Sequence, residues 1–289
     1  MSRRWGSGLV AALAVMATAC GGSNQAAPPE PDPSTSSTPA PPYDASLPPA
    51  RAVLSLVPHE ATTLSLTDFD EVRAQYGAEP GDAGFWKEAV RHSPLLSTGL
   101  LRPYGDRLQG FGPDDVAWEA RYAGGGSDGW VLALRPGTDM AAVRRAVAAG
   151  IGPLAGATVD AADHLVTSAR LDPSDPGWTD LADLVGPRAE ATYVARGCLA
   201  GDTGDQRLQP LRAYAVSFGQ GLATAYLGGG RDDLFARMRL GATLPAFAAD
   251  YTHGAADPSS GRIGFTMTDP VDAAQQALRG RLPFAVCAE

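Results

Sequence analysis

The chain has 289 residues, of which 44% are hydrophobic and 19% are charged, and its formal net charge is -9 at pH 7. This length is enough for one large domain or two small ones with an apolar core. Nucleic-acid binding is excluded as the default function, because an acidic chain lacks the basic stripe that contacts phosphates. Lys87 is the only lysine, so lysine-based covalent catalysis would depend on that one residue.

The N-terminal segment has the layout of an export signal. Arg3 and Arg4 precede an apolar run from Gly8 to Ala17, and small residues follow up to Cys20. The run is too short to span a bilayer as a helix. A basic region, a short apolar stretch and a small-residue cleavage site are typical of a signal peptide, which we predict over residues 1–19. The arginine pair leaves both the general secretory and the twin-arginine export routes open.

The residues before Cys20, Ala17-Thr18-Ala19, resemble the lipobox of bacterial lipoproteins, although Ala17 stands where that motif usually has leucine. The resemblance implies that Cys20 becomes the acylated N-terminus and that residues 1–19 are removed. The membrane would then hold the protein through a lipid anchor on its extracytoplasmic side. The alternative is a plain secretory signal with an incidental cysteine.

Residues 20–50 follow, and they have the composition of a tether. They hold nine of the 24 prolines, a run of serine and threonine, and hardly any large apolar side chain. Such a segment cannot bury a core, so we predict a disordered tether that is partly in the polyproline conformation.

From Arg51 onward, short strand patterns alternate with amphipathic helical patterns, which is typical of an α/β or α+β domain. The predicted elements are, in chain order: a strand over 63–67, helices over 68–76 and 85–91, a hairpin of 116–122 with 130–134, a helix over 139–149, a second hairpin of 211–218 with 222–227, a helix over 232–240, a strand over 263–269, a helix over 271–278 and a final strand over 284–287.

The order of these elements repeats. A hairpin followed by a helix occurs twice, and so does a strand that ends in Thr-Asp and leads into a helix. We therefore predict an α+β fold of two related βαββαβ-like halves, with antiparallel sheets and helices on one face. The halves are residues 51–170 and 188–289. The connecting segment is 171–187, where prolines and glycines flank a short helix with Leu181 and Val185.

Two cysteines remain in the body of the chain, Cys198 and Cys287. Two cysteines in an exported protein favour one disulfide. The rival interpretations are a metal pair and a catalytic thiol, but no histidine lies near either cysteine in the sequence.

Motifs that carry chemistry are scarce, and we predict no catalytic residue, metal site or cofactor. Gly124, Gly126 and Gly129 match G-x-G-x-x-G, but a strand follows them where the dinucleotide fingerprint needs a helix. The histidines lack metal-ligand spacing and fit exposed loops best. They are His59, His92, His164 and His253. The tryptophans fit core packing better than a ligand pocket. They are Trp86, Trp118, Trp130 and Trp178.

One strand offers a candidate partner surface. Trp118, Ala120 and Tyr122 are spaced to share one face of a strand, and Glu119 and Arg121 share the other. The aromatic face is expected in the core. The charged face is expected either to contact a partner or to be merely solvated.

The lipobox, the tether and a single lysine against 22 arginines make the chain resemble extracytoplasmic lipoproteins of high-GC actinobacteria. That resemblance implies a location but no reaction, cofactor or site. The expected function is therefore that of a membrane-anchored, non-enzymatic protein that binds an envelope protein or a small ligand. The alternatives are a cell-envelope hydrolase with a dispersed catalytic site and a structural spacer.

Overall fold

The structure is a computed structural model that describes residues 43–172, 174–203 and 206–288. These residues belong to one compact unit. The predicted signal peptide, Cys20 and the tether up to residue 42 lie outside the described residues. None of the described helices is both long enough and apolar enough to cross a membrane.

The described residues form ten strands and seven α-helices, with short 3-10 turns between them. The strands are β1 Thr63–Asp68, β2 Val116–Ala123, β3 Gly129–Leu134, β4 Thr158–Asp160, β5 Leu165–Thr167, β6 Ala191–Arg196, β7 Ala213–Gly219, β8 Leu222–Tyr226, β9 Tyr251–Asp257 and β10 Arg262–Met267. The helices are α1 Pro49–Ala52, α2 Phe69–Tyr76, α3 Phe85–His92, α4 Met140–Ala148, α5 Leu234–Thr243, α6 Pro245–Asp250 and α7 Pro270–Leu278. An α+β fold is therefore confirmed.

All ten strands lie in one antiparallel sheet with the order β4-β5-β3-β2-β1-β6-β7-β8-β10-β9. Outward from β1 the order is β1-β2-β3-β5-β4, and outward from β6 it is β6-β7-β8-β10-β9. The two central strands therefore join two five-stranded parts that have the same topology. A helix pair lies between β1 and β2, whereas the described residues between β6 and β7 form no helix. The common origin of the two parts stays a prediction.

Three helices begin at an aspartate, as the sequence predicts for capped helices. The side chains of Asp68, Asp139 and Asp269 each accept hydrogen bonds from two backbone N–H groups in the first turn of α2, α4 and α7. Each cap satisfies donors that the helix itself leaves without partners.

The prediction that helices cover one face of the sheet is only partly correct. On that face, α2 and α4 pack Phe69 and Val143 against β3. The helices α5, α6 and α7 cover the other half of the same face, for example through Phe247. The opposite face is also covered at its centre, where Leu54 and Trp178 pack against β1, β2 and β6. The connecting segment is thus a cover for the core, and Trp178 is fully buried.

The C-terminal segment is held by a disulfide and by a buried arginine. Cys198 is bonded to Cys287, which confirms the predicted pair, and 89 residues of sequence separate them. Closing a loop of that length stabilises the fold by about 4 kcal/mol in the chain-entropy model. The fully buried Arg237 donates to the carbonyls of Phe284 and Val286 at 2.8 and 2.9 Å.

Two predicted boundaries were wrong. Residues 43–50, assigned to the tether, lie on the folded body, because Tyr43 packs on the core and α1 begins at Pro49. The predicted final strand is a 3-10 turn, Pro283–Ala285, followed by a single bridge from Val286 to Leu199. Arg237 and the disulfide fix this segment without a strand ladder.

Candidate functional site

Glu119 does not lie on a solvated face, so the predicted partner surface was wrong for this residue. Its side chain is only 1% exposed, whereas that of Arg121 is 49% exposed. Trp118, Ala120 and Tyr122 are buried on the opposite face, as predicted. Alternate residues of β2 therefore lie on opposite faces of the sheet, and both Trp118 on one face and Glu119 on the other are covered by other parts of the chain.

The segment Leu95–Leu101 is what buries Glu119. It is irregular, so its backbone groups need partners from outside the segment. The Glu119 carboxylate accepts from the hydroxyl of Ser97, from the Leu100 N–H at 2.6 Å and from Arg121 Nε at 3.1 Å. On the neighbouring strand, Thr67 Oγ1 accepts from the N–H groups of Leu96 and Ser97. Glu119 thus joins a loop to the sheet.

The histidines form no catalytic set among the described residues. His92 lies 3.5 Å from Glu88 on the exposed surface of α3, and none of the four histidine side chains hydrogen-bonds to a described serine. The tryptophans lie in or against the core, with Trp118 and Trp178 buried and Trp86 and Trp130 packed beside it. The described part of the chain also contains no group of three or more metal-binding side chains placed to hold an ion.

A polar cleft of about 320 Å³ lies on the face of the sheet opposite the long helices, beside β6, β7 and β8. We define the polar cleft by six of its lining residues, which are Glu71, Arg188, Glu190, Ser217, Thr224 and Tyr226. The sheet forms its floor through Ser217, Thr224 and Tyr226, and the segment that leads into β6 forms its wall. None of these six residues belongs to a sequence motif that predicts a site.

Glycine at position 186 lets the wall approach the floor. A Cβ atom at Gly186 would lie 2.6 Å from the Tyr226 hydroxyl oxygen and 3.3 Å from Ser217 Oγ. The first distance is shorter than Cβ atoms tolerate, so a larger residue would push the wall away. The close approach explains why Tyr226, with 9% exposure, is nearly buried.

Two buried hydroxyl groups at the floor lack partners. Ser217 is 7% exposed and Thr192 is 1% exposed, and neither hydroxyl has a hydrogen-bond partner among the described residues. The two residues are directly opposite each other on β6 and β7. Both hydroxyl oxygens are closed off from solvent, so a molecule in the cleft does not reach them, and each carries the cost of an unpaired buried polar group.

Carboxyl groups with raised pKa values lie at the end of the two central strands. Thr67 of β1 is paired with Ala191 of β6. The next residues along the two strands are Asp68 and Glu190, and the Asp68 N–H donates to the Glu190 carbonyl at 2.9 Å. Asp68 and Glu190 are therefore opposite each other. Burial raises the pKa of Asp68 to about 7, the N–H of Glu71 lowers it, and the charges of Asp70 and Glu71 raise it further.

Glu190 is 5% exposed, and its pKa is also raised. Burial is the main cause, the Gln220 N–H and Ser93 act in the opposite direction, and the charge of Glu71 adds to the increase. Glu71 therefore disfavours ionisation at both Asp68 and Glu190. Perturbed carboxyl groups in a cleft are a recognised signature of functional sites.

Glu71 and Arg188 also line a second hollow of about 350 Å³, which contains Asp68 and Asp70. Asp70 is paired with Arg73 and Arg135. Asp68, Glu71 and Glu190 form no ion pair with any described residue. The polar cleft and this hollow together are lined by four carboxyl groups and the exposed Arg188, and the guanidinium of Arg262 lies 5.0 Å from the centre of the Tyr226 ring.

A separate apolar hollow of about 320 Å³ lies beside the disulfide. Its walls include Leu199, Leu244, Phe247, Leu282 and Val286. Leu244 is 49% exposed there. This hollow has an apolar lining, whereas the polar cleft is lined by a buried carboxyl group with a raised pKa.

The first prediction concerns Glu119. Glu119→Ala is expected to lower the free energy of unfolding by about 2 to 3 kcal/mol, because it leaves the Leu100 N–H and the Ser97 hydroxyl buried without an acceptor. Urea denaturation at pH 7 measures the loss. Arg121→Ala serves as the matched control and should cost less than about 1 kcal/mol, because its ion pair is half exposed. Equal losses in the two variants would contradict the structural role of Glu119.

The second prediction concerns the pH dependence of stability. The folded-state pKa of Asp68, about 7, lies above its ordinary value, so Asp68 favours folding at low pH and this contribution is lost as the pH rises to about 7. Asp68→Asn keeps a capping side chain but cannot ionise. The stability of this variant relative to the unmutated protein should therefore increase from about pH 4 to pH 7.

Asp139→Asn is the control for this experiment. Asp139 caps α4 in the same way, but the N–H groups of Ala142 and Ala141 lower its pKa. The contribution of Asp139 to the free energy of unfolding changes only at acidic pH. The difference in stability between the Asp139→Asn variant and the unmutated protein should therefore be constant between pH 5 and pH 8. Parallel profiles for the two variants would show that Asp68 is not perturbed.

The chain matches no protein-family model, no curated protein and no solved structure. The function must therefore be argued from the site itself.

Proposed function

We propose that the protein is a membrane-anchored extracytoplasmic lipoprotein that binds a small polar ligand in the polar cleft. The observation that carries the binding role is the polar cleft itself, which has a volume of about 320 Å³ and is lined by Glu190, a buried carboxyl group with a raised pKa. A cleft of this volume lies within the usual range of ligand pockets.

The proposed location rests on the sequence. The segment that ends in Ala17-Thr18-Ala19-Cys20 resembles a lipoprotein signal, and a proline-rich tether follows it. The disulfide between Cys198 and Cys287 supports an oxidising compartment, because such bonds are rare in the cytosol. One lipid-modified cysteine would hold the folded body near the outer surface of the membrane.

Hydrolysis is the second candidate function, and one specific observation favours it. The carboxyl of Asp68 has a pKa of about 7, and a second carboxyl with a raised pKa, that of Glu190, is opposite in register. A carboxyl group whose pKa is near the working pH is suited to general acid-base catalysis. An enzyme would release a chemically altered molecule, whereas a binding protein would return its ligand unchanged.

The third prediction tests the anchor. Cys20→Ala should abolish incorporation of a labelled fatty acid and should leave the protein as a precursor or release it from the membrane fraction. Ser23→Ala, three residues further on, is the control and should retain the label. Lipid label that persists on the Cys20→Ala protein would refute the anchor.

The fourth prediction tests the binding site. Protein extracted from its native envelope in mild detergent should carry a small molecule that mass spectrometry detects. Thr224→Phe should remove that molecule, because the larger side chain fills the polar cleft. The control is Thr158→Phe, which places the same side chain on an exposed position of β4 at the far edge of the sheet. Binding in the polar cleft would be contradicted if no molecule co-purified with the protein, or if the Thr224→Phe variant retained the molecule.

A further inference from the structure

The apolar hollow beside the disulfide contains one polar side chain that lacks a partner for one of its atoms. Gln276 of α7 lines this hollow and is only 7% exposed. Its Nε2 donates to the Ala246 carbonyl at 3.3 Å and to Asp250 Oδ2 at 2.9 Å, which fixes the orientation of the amide. Its Oε1 accepts no hydrogen bond from a described residue and, unlike the Ser217 hydroxyl, is not closed off from solvent. A molecule in the apolar hollow can therefore reach this acceptor.

The walls of the apolar hollow are held in place by the fold. Phe247 stacks on Tyr251 with ring centroids 4.3 Å apart. On another wall, the carbonyl of Val286 accepts from the buried Arg237 at 2.9 Å, and the next residue, Cys287, belongs to the disulfide. A pre-formed pocket of this kind binds a ligand without the cost of ordering its own side chains.

The lining suits an aliphatic molecule better than water. A buried water makes about three hydrogen bonds, whereas Gln276 is the one buried polar side chain among the described residues that line the apolar hollow. The other two polar side chains in the lining, Asp202 and Arg281, are exposed. An aliphatic chain gains free energy when Leu244 and Phe247 cover it. The same ligand needs one donor for Gln276 Oε1.

That donor is best supplied by a neutral hydroxyl group. An ammonium or a carboxylate would lose its hydration against the apolar walls, which costs far more free energy than the transfer of a hydroxyl. A carboxylate also cannot donate to Gln276 Oε1 when it is ionised. The hydroxyl of an alcohol donates one hydrogen bond, which matches the single acceptor.

We propose that the apolar hollow is a second ligand site, which binds the chain of a small aliphatic alcohol while the alcohol hydroxyl donates to Gln276 Oε1. The volume of about 320 Å³ is at the lower end of the usual range of ligand pockets, so it suits one short chain and not a two-chain lipid. The site uses no residue of the polar cleft. It therefore stands independently of the proposed function.

Photolabelling of the full-length protein in lipid nanodiscs tests the proposal. The probe is an octanol that carries a photoreactive diazirine on its chain, and peptide mass spectrometry locates the label. We expect label in the two segments that line the apolar hollow, Leu244–Phe247 and Leu282–Val286. Peptides around the exposed Leu47, which is remote from this hollow in the sequence and does not line it, should stay unlabelled.

Competitors at measured free aqueous concentrations identify the chemistry of the ligand. 1-Octanol should block labelling, and its isomer heptyl methyl ether, which has no donor, should compete about tenfold more weakly. Octanoate should also be about tenfold weaker, because its charge is desolvated. 1-Hexanol should be about tenfold weaker than 1-octanol, because it buries two methylene groups fewer.

Variants of two exposed leucines provide a matched pair. Leu244→Ser removes part of the apolar wall at a position that is 49% exposed, so the variant should fold and bind the probe about fivefold more weakly. Leu278→Ser is the control, because Leu278 is 39% exposed but does not line the apolar hollow. Thr224→Phe, which fills the polar cleft, should leave labelling of the apolar hollow unchanged.

Gln276→Met keeps the length of the side chain and removes the acceptor, so it should abolish the preference for 1-octanol over heptyl methyl ether. If this variant does not fold, the comparison of the two isomers on the unmutated protein decides. Equal potency of the isomers, label spread evenly over the chain, or equal affinity of the Leu244→Ser and Leu278→Ser variants would overturn the proposal. Stronger competition by octanoate than by 1-octanol would overturn it as well, and would assign the apolar hollow to an anion near Arg281.

Discussion

The fold depends on covering the middle of a very wide sheet. Ten strands present two broad faces, and the long helices cover only the two halves of one of them. Irregular segments cover the central strands, with Leu95–Leu101 on one face and the residues around Leu54 and Trp178 on the other. Irregular backbone carries N–H groups that must find acceptors once they are buried. The central strands therefore carry polar side chains in positions where a sheet core is usually apolar.

This constraint separates two kinds of buried polar group. Glu119 and Thr67 are satisfied, because the loop above them supplies donors, and their role is to hold that loop in place. Ser217 and Thr192 are equally buried, but no described residue pairs with their hydroxyls. The second kind of group lowers the stability of the fold, because a buried hydroxyl without a partner is not compensated for the water that it has lost. Burial and polarity alone would not distinguish Glu119 from Ser217, and only the hydrogen-bond partners do.

Local patterns were sufficient for most elements. Both hairpins, the helices α2, α3, α4, α5 and α7 and the single disulfide follow from periodicity, capping aspartates and cysteine count. Four strands were missed, and they lack such signals. The strand β6 is buried at five of its six positions, so it shows no alternation of buried and exposed residues. The strands β4 and β5 have three residues each, too few for a period-two pattern, and β9 alternates small and polar residues that read as a loop. The final segment around Phe284 is apolar enough for a strand, but Arg237 and the disulfide hold it in a turn.

The sequence by itself determined the fold class, the cysteine pair and the aromatic face of β2, because each depends on composition or on spacing within a short segment. Only the tertiary structure decided that Glu119 is buried, since its cover comes from a loop about twenty residues earlier in the chain. It also decided the positions of the polar cleft and the adjoining hollow, which are lined by Glu190 and Asp68 respectively. These two residues are neighbours across β1 and β6 although more than a hundred residues separate them. Strand pairing sets such contacts, and the pairing of distant strands leaves no local mark in the sequence.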